Sequence, residues 1–210
     1  MGSGTIRLGG LFGIASAAVI IPAYLVGSPE RLVGSAETYL EKASAFIAAN
    51  GALPLLHVLF GLVFLGVLVS MLRAAAGPTG AVYVALGGGI VFLALTAAGL
   101  AAEVAVPAVA HGVDHPSTTG SEDYFLALAV WLYHYSQICS AALFFATGYI
   151  VWRTGVLPKW TALLAVLGVP ALLHLWFGVY AAYATVAWIA LTGLAMLAIP
   201  PVVQVESVGV

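Results

Sequence analysis

Stretches of about 20 residues with almost no charge recur along the chain, each separated from the next by a short polar break. A helix rises about 1.5 Å per residue, so one such stretch matches a hydrocarbon layer about 30 Å thick. The apolar runs fall at about Leu8 to Val26, Leu53 to Leu72, Ala81 to Ala101, Tyr124 to Trp152, Trp160 to Phe177 and Ala181 to Ile199. Together they take up most of the 210 residues, leaving no room for a separate soluble domain. With 63% hydrophobic and 7% charged residues, the chain cannot cover a water-soluble globule with polar surface. The expected fold is all-α: one polytopic transmembrane helix bundle of six spans over residues 1–210.

The first span has only Arg7 in front of it and no small-residue cleavage pattern behind, so it reads as a retained helix rather than a signal peptide. Between the first two spans, Leu32, Ala36, Tyr39, Leu40, Ala43, Phe46 and Ile47 recur at intervals of three and four. Glu30, Arg31, Glu37, Glu41 and Lys42 fall mainly between them, which predicts an amphipathic helix over 29–48 at the membrane interface. Lys and Arg in short loops stay preferentially on the cytoplasmic side. Arg7, Arg73, Arg153 and Lys159 fall on one side of the predicted topology and Arg31 and Lys42 on the other. That bias predicts a multi-pass protein of the cell membrane with both termini cytoplasmic. Seven of the eight acidic residues then lie outside, with Glu206 inside.

Val151 to Trp160 reads Val-Trp-Arg-Thr-Gly-Val-Leu-Pro-Lys-Trp and leads into a glycine-containing apolar helix. This run resembles a stretch of an uncharacterised family of six-helix bacterial integral membrane proteins. The resemblance covers about a quarter of the chain and implies topology alone.

Polar residues inside the spans carry the functional signal. From the helical rise, His57 and His174 lie at similar depth, roughly 9 Å below the outer surface, and His134 lies nearer the midplane. Glu103 closes the third span, with His111, Asp114 and His115 after it. All five histidines therefore belong to one half of the membrane. Ionisable groups facing lipid cost about 2.5 to 3.5 kcal/mol or more, so a shared cavity open to the outer face is the economical arrangement. Trp131, Tyr133, Tyr135, Trp176, Tyr180 and Tyr183 sit near that level, as cavity wall or as interfacial anchors.

Several chemistries fit such a cluster. His111 and His115 stand four residues apart, a spacing at which two imidazoles on a helix bind one ion; Gly112 and Pro116 weaken the helix there, and a solvated loop is the alternative. His57 and His174 could ligate a haem iron, or join Glu103, His111 and His115 around zinc, copper or iron. Catalytic candidates are Glu103, Tyr133 and His134, the last within Tyr-His-Tyr-Ser-Gln at 133–137, where a proton relay competes with interhelical hydrogen bonding. Cys139, the one cysteine, reads as a small packed hydrophobe. Gly87, Gly88 and Gly89 read as a close helix contact or a kink.

A net charge of -2 with six Lys plus Arg excludes nucleic acid as a partner. Membrane lipid, a lipophilic small molecule, a second copy or a partner membrane subunit remain. The leading expectation is a metal- or haem-dependent membrane enzyme or redox protein acting on an apolar substrate such as a lipid, quinone or isoprenoid. The competing one is a small transporter or accessory subunit with structural histidines.

Overall fold

The computed structural model describes residues 2–26, 43–112 and 122–201. Among them every regular element is helical. Four long helices come first: α1 (Ser3–Val26), α2 (Ala43–Ala76), α3 (Gly80–Gly112) and α4 (Glu122–Thr154). A broken segment follows, made of α5 (Lys159–Ala162), a 3₁₀ turn (Leu163–Leu167), α6 (Gly168–Leu172) and α7 (His174–Phe177). Last comes α8 (Val179–Ala198). Five helices, α1 to α4 and α8, are long and apolar enough to cross a membrane, which marks a multi-pass membrane protein.

Neighbours across the helix contacts fix the directions. Gly13 of α1 faces Phe64 of α2, and Ser16 bonds His57, so these helices are antiparallel. Gly61 against Leu93 and Gly89 against Leu65 make α2 and α3 antiparallel as well. Gly88 meets Cys139 and Leu143, whereas Gly99 lies beside Ala129 and Leu132, giving the same relation between α3 and α4. By contrast α4 and α8 run parallel, since Ser140 bonds Thr185 and Phe144 stacks on Trp188 at 4.2 Å between ring centroids. α8 lies antiparallel to α1, with Gly193 against Gly10 and Ile14.

Glycine at these crossings is a steric requirement. A Cβ on Gly193 would stand 2.7 Å from the Gly10 carbonyl oxygen, and one on Gly88 would stand 2.8 Å from the Cys139 carbonyl. Without side chains the backbones approach closely, as they must where lipid supplies no hydrophobic drive between helices. Gly87, next in sequence, meets nothing within 4 Å.

Two expectations need correction. Residues 43–48, assigned to the interfacial helix, belong instead to α2, which continues unbroken through Asn50 and Gly51. The rest of that predicted element, 29–42, lies outside the described residues. The predicted span from Trp160 to Phe177 is not one continuous helix. Pro170 lacks an N–H and its ring displaces the carbonyl of Val166, so the preceding turn tightens to 3₁₀. Leu173 (φ -98°, ψ 34°) and Gly178 (φ 54°, ψ -137°) then break the path on both sides of α7.

The broken segment returns along α4: Gly148 lies beside Ala162 and Ala165, Phe145 beside Gly168, and His134 beside His174. Arg7, Arg73, Arg153 and Lys159 consequently gather at one end of the bundle, the basic end. The core between these helices holds Ile20, Phe64, Leu68, Met71, Phe144, Ile150, Trp188 and Met196. Large apolar side chains also point outward, among them Leu55 at 70% exposure and Leu163 at 65%, as a lipid-facing surface requires.

Candidate functional site

Glu103 of α3, Ser136, Gln137 and Ser140 of α4, His174 of α7 and Thr185 of α8 are buried polar side chains set away from the basic end. Glu103, fully buried on α3, accepts a hydrogen bond from the Tyr133 hydroxyl of α4, 3.1 Å from its Oε2. Tyr24 of α1 sets its ring 6.3 Å from both Tyr133 and Tyr183, so three phenols from three helices surround this level. One turn deeper on the same face of α4, Gln137 accepts a 2.6 Å bond on Oε1 from the Thr185 hydroxyl of α8. Ser140 lies 3.2 Å from Thr185 and donates to the Gln137 carbonyl at 2.7 Å. Spacings of four and three along α4 put Tyr133, Gln137 and Ser140 on one helix face, giving a buried polar column two turns long.

His134 follows Tyr133 and so points about 100° around α4, toward α7. There its Nδ1 meets Nδ1 of His174, the ring centroids lying 4.5 Å apart and the planes at 75°. Trp131 packs edge-on to His134 at 5.4 Å. His174 is buried and His134 half-buried.

His57 sits elsewhere, between α1 and α2. Its Nδ1 lies 3.0 Å from the Ser16 carbonyl, while the Ser16 hydroxyl donates to the His57 carbonyl at 2.9 Å. A carbonyl only accepts, so Nδ1 carries the hydrogen and Nε2 the lone pair. Nε2 is buried with no hydrogen-bond partner among the described residues, as is Thr96 Oγ1 on α3. The α2–α3 pairs 61 with 93 and 65 with 89 place position 57 opposite 97, hence both atoms at one level.

The structure thus joins two sets of predicted site residues: Glu103 with Tyr133, and His134 with His174. His57 takes Ser16 rather than His174 as its partner. His111 belongs to α3 about 12 Å of rise beyond Glu103, and His115 lies outside the described residues. Among the described residues no three His, Cys, Asp or Glu side chains converge in a way that could hold a metal ion. A cavity of about 500 Å3 lies at the basic end beside Thr79, Tyr149 and Arg153. Trp131, Tyr135, Trp176 and Tyr180 are exposed, in keeping with interfacial anchoring.

Sequence reasoning missed Ser16, Tyr24, Ser140 and Thr185, each a hydroxyl within an apolar span. That polarity mismatch was their only signal. Compared with family models, curated proteins and solved structures, the chain matches none, so its own geometry carries the functional reading.

Proposed function

We propose that the chain is a six-crossing membrane enzyme, with both termini cytoplasmic, that draws a lipophilic substrate from the bilayer to the Glu103–Tyr133 pair. The parallel course of α4 and α8 supports six crossings, because two parallel spans require a return between them and only residues 155–178 can provide it. A carboxyl group and a phenol in hydrogen-bond contact form an acid–base pair suited to moving a proton on a substrate carbonyl or hydroxyl. A metal ion would supply the electrophilic or redox part of the chemistry. For a haem, His57 and His174 would have to face one iron, whereas His57 bonds Ser16 and His174 meets His134.

One observation carries this reading: a fully buried carboxyl group bonded to the Tyr133 phenol, which packs in turn on Tyr24 and through it on Tyr183, at the end of the bundle away from Arg7, Arg73, Arg153 and Lys159. Bridging helices does not need a carboxyl, because Gln137 with Thr185 already does so one turn away. Organic extraction of the purified protein followed by mass spectrometry provides the test. Wild type is expected to retain one lipophile in near-stoichiometric amount, and Glu103→Gln and Tyr133→Phe to lose it while staying folded. Recovery of bulk lipid alone from wild type would sink the reading.

The non-enzymatic alternative, an accessory subunit or small transporter, draws on the Ser16–His57 and Gln137–Thr185 bonds, which are helix bridges complete in themselves. It predicts that Glu103→Gln lowers stability as much as Gln137→Ala does and changes no bound lipophile.

A further inference from the structure

We propose that the cavity at the basic end is a binding site for the phosphate headgroup of an anionic phospholipid. It is independent of the Glu103–Tyr133 reading, which concerns the other end of the bundle. The cavity measures about 500 Å3, within the range of small-ligand pockets, and lies where the end of α2, the start of α3 and the end of α4 meet. Its charge is of one sign. Arg153 of α4 brings a guanidinium, and Thr79 and Tyr149 bring hydroxyls. The wall also includes Gly80 and Ala81, whose amides open α3 and have no intrahelical carbonyl to bond. Thr154, in the same wall, is already committed: its hydroxyl donates to the Ile150 carbonyl at 2.8 Å and accepts from the Val156 amide at 3.3 Å.

Among the described residues no carboxylate balances this charge. Glu103 is set away from it and α4 starts with Glu122 and Asp123 at its far end, whereas Arg7, Arg73, Arg153 and Lys159 gather here. Such an excess of cations attracts an anionic membrane surface, and basic recesses between spanning helices hold phosphate headgroups. A guanidinium suits phosphate because it can donate two parallel N–H bonds. Level and lining identify the source of the phosphate. Tyr83, Tyr149, Trp152 and Trp160 are exposed around this end, and the Lys159 ammonium stands 5.8 Å from the Trp152 ring centroid. Amphipathic rings of this kind mark the headgroup level of a bilayer. Ala75, Ala81 and Ile150 give the recess an apolar side that glycerol and the first acyl carbons can use and a free phosphate ion cannot. A zwitterionic headgroup would add an ammonium for which the lining has no carboxylate.

The test uses the full chain, purified in detergent and freed of lipid, titrated with phosphatidylglycerol or with phosphatidylcholine of the same acyl chains and followed by native mass spectrometry. Wild type is expected to bind one phosphatidylglycerol, roughly tenfold more tightly than phosphatidylcholine. That comparison does not depend on how any variant folds. Arg153→Gln should weaken phosphatidylglycerol about tenfold, as the loss of a charge-assisted contact. Ala81→Leu should weaken it too, by filling the recess while every charge stays in place. Arg7→Gln, at the same end but outside the recess, should bind as wild type does. Equal affinity of wild type for the two lipids overturns the site. Equal losses in Arg7→Gln and Arg153→Gln also overturn it, reducing the recess to diffuse surface charge. Inorganic phosphate that displaces the lipid at matching concentration would reassign the recess to a free ion and overturn the lipid.

Discussion

Ser16 and His57 tie α1 to α2 through two carbonyls and a hydroxyl, all buried. Hydrogen bonds between membrane helices contribute about 0.6 kcal/mol on average and up to about 1.7. Ser16→Ala should therefore lower unfolding free energy by about 1 kcal/mol, read by denaturant titration in micelles; no change would mean that the imidazole finds an equal partner elsewhere. Thr185→Val should have a similar effect through Gln137, whose Oε1 would lose the donor now 2.6 Å away. At this scale the sequence was only partly legible. Helical rise alone assigned His57, His134, His174 and Glu103 to one half of the bundle. Partnership was not legible, because it depends on how neighbouring helices are offset and rotated. That is why His57, level with His174 by count, is bonded to Ser16.

Long apolar helices were the easiest elements to read, since a run of that length has few other ways to satisfy its backbone. Their ends were harder: α2 and α3 extend well past the apolar limits, because helix formation continues for as long as the local residues permit. Residues 160–177 read as one helix because hydropathy is blind to Pro170 and Gly178. Glycine roles diverge in a way that only packing reveals. Gly193→Leu should force α1 and α8 apart, since even a Cβ there would stand 2.7 Å from the Gly10 carbonyl oxygen. Overpacking of this kind costs about 1 to 3 kcal/mol. Gly87→Ala, with nothing within 4 Å of its added methyl, should leave thermal stability in detergent unchanged or slightly raised. Equal melting shifts for both variants would contradict the α1–α8 contact.

For the molecule as a whole, alternating helix directions and the return along α4 demand opposite exposure of the loop before α4 and the turn after it. With Cys139 replaced by alanine, a cysteine at Ser117 should react with an impermeant maleimide added outside cells, and one at Thr154 only after permeabilisation. Reversed labelling would keep the bundle and invert its orientation; labelling of both from one side would break the six-crossing arrangement. α1 also packs antiparallel on α8, the helix made after every other described one. During synthesis the Gly10–Ile14 surface of α1 must therefore wait in the bilayer, without its natural mate, until α8 leaves the translocon. A nascent chain stalled before Val179 would present that naked glycine groove to membrane chaperones and proteases, so the timing of translation itself becomes a checkpoint on assembly.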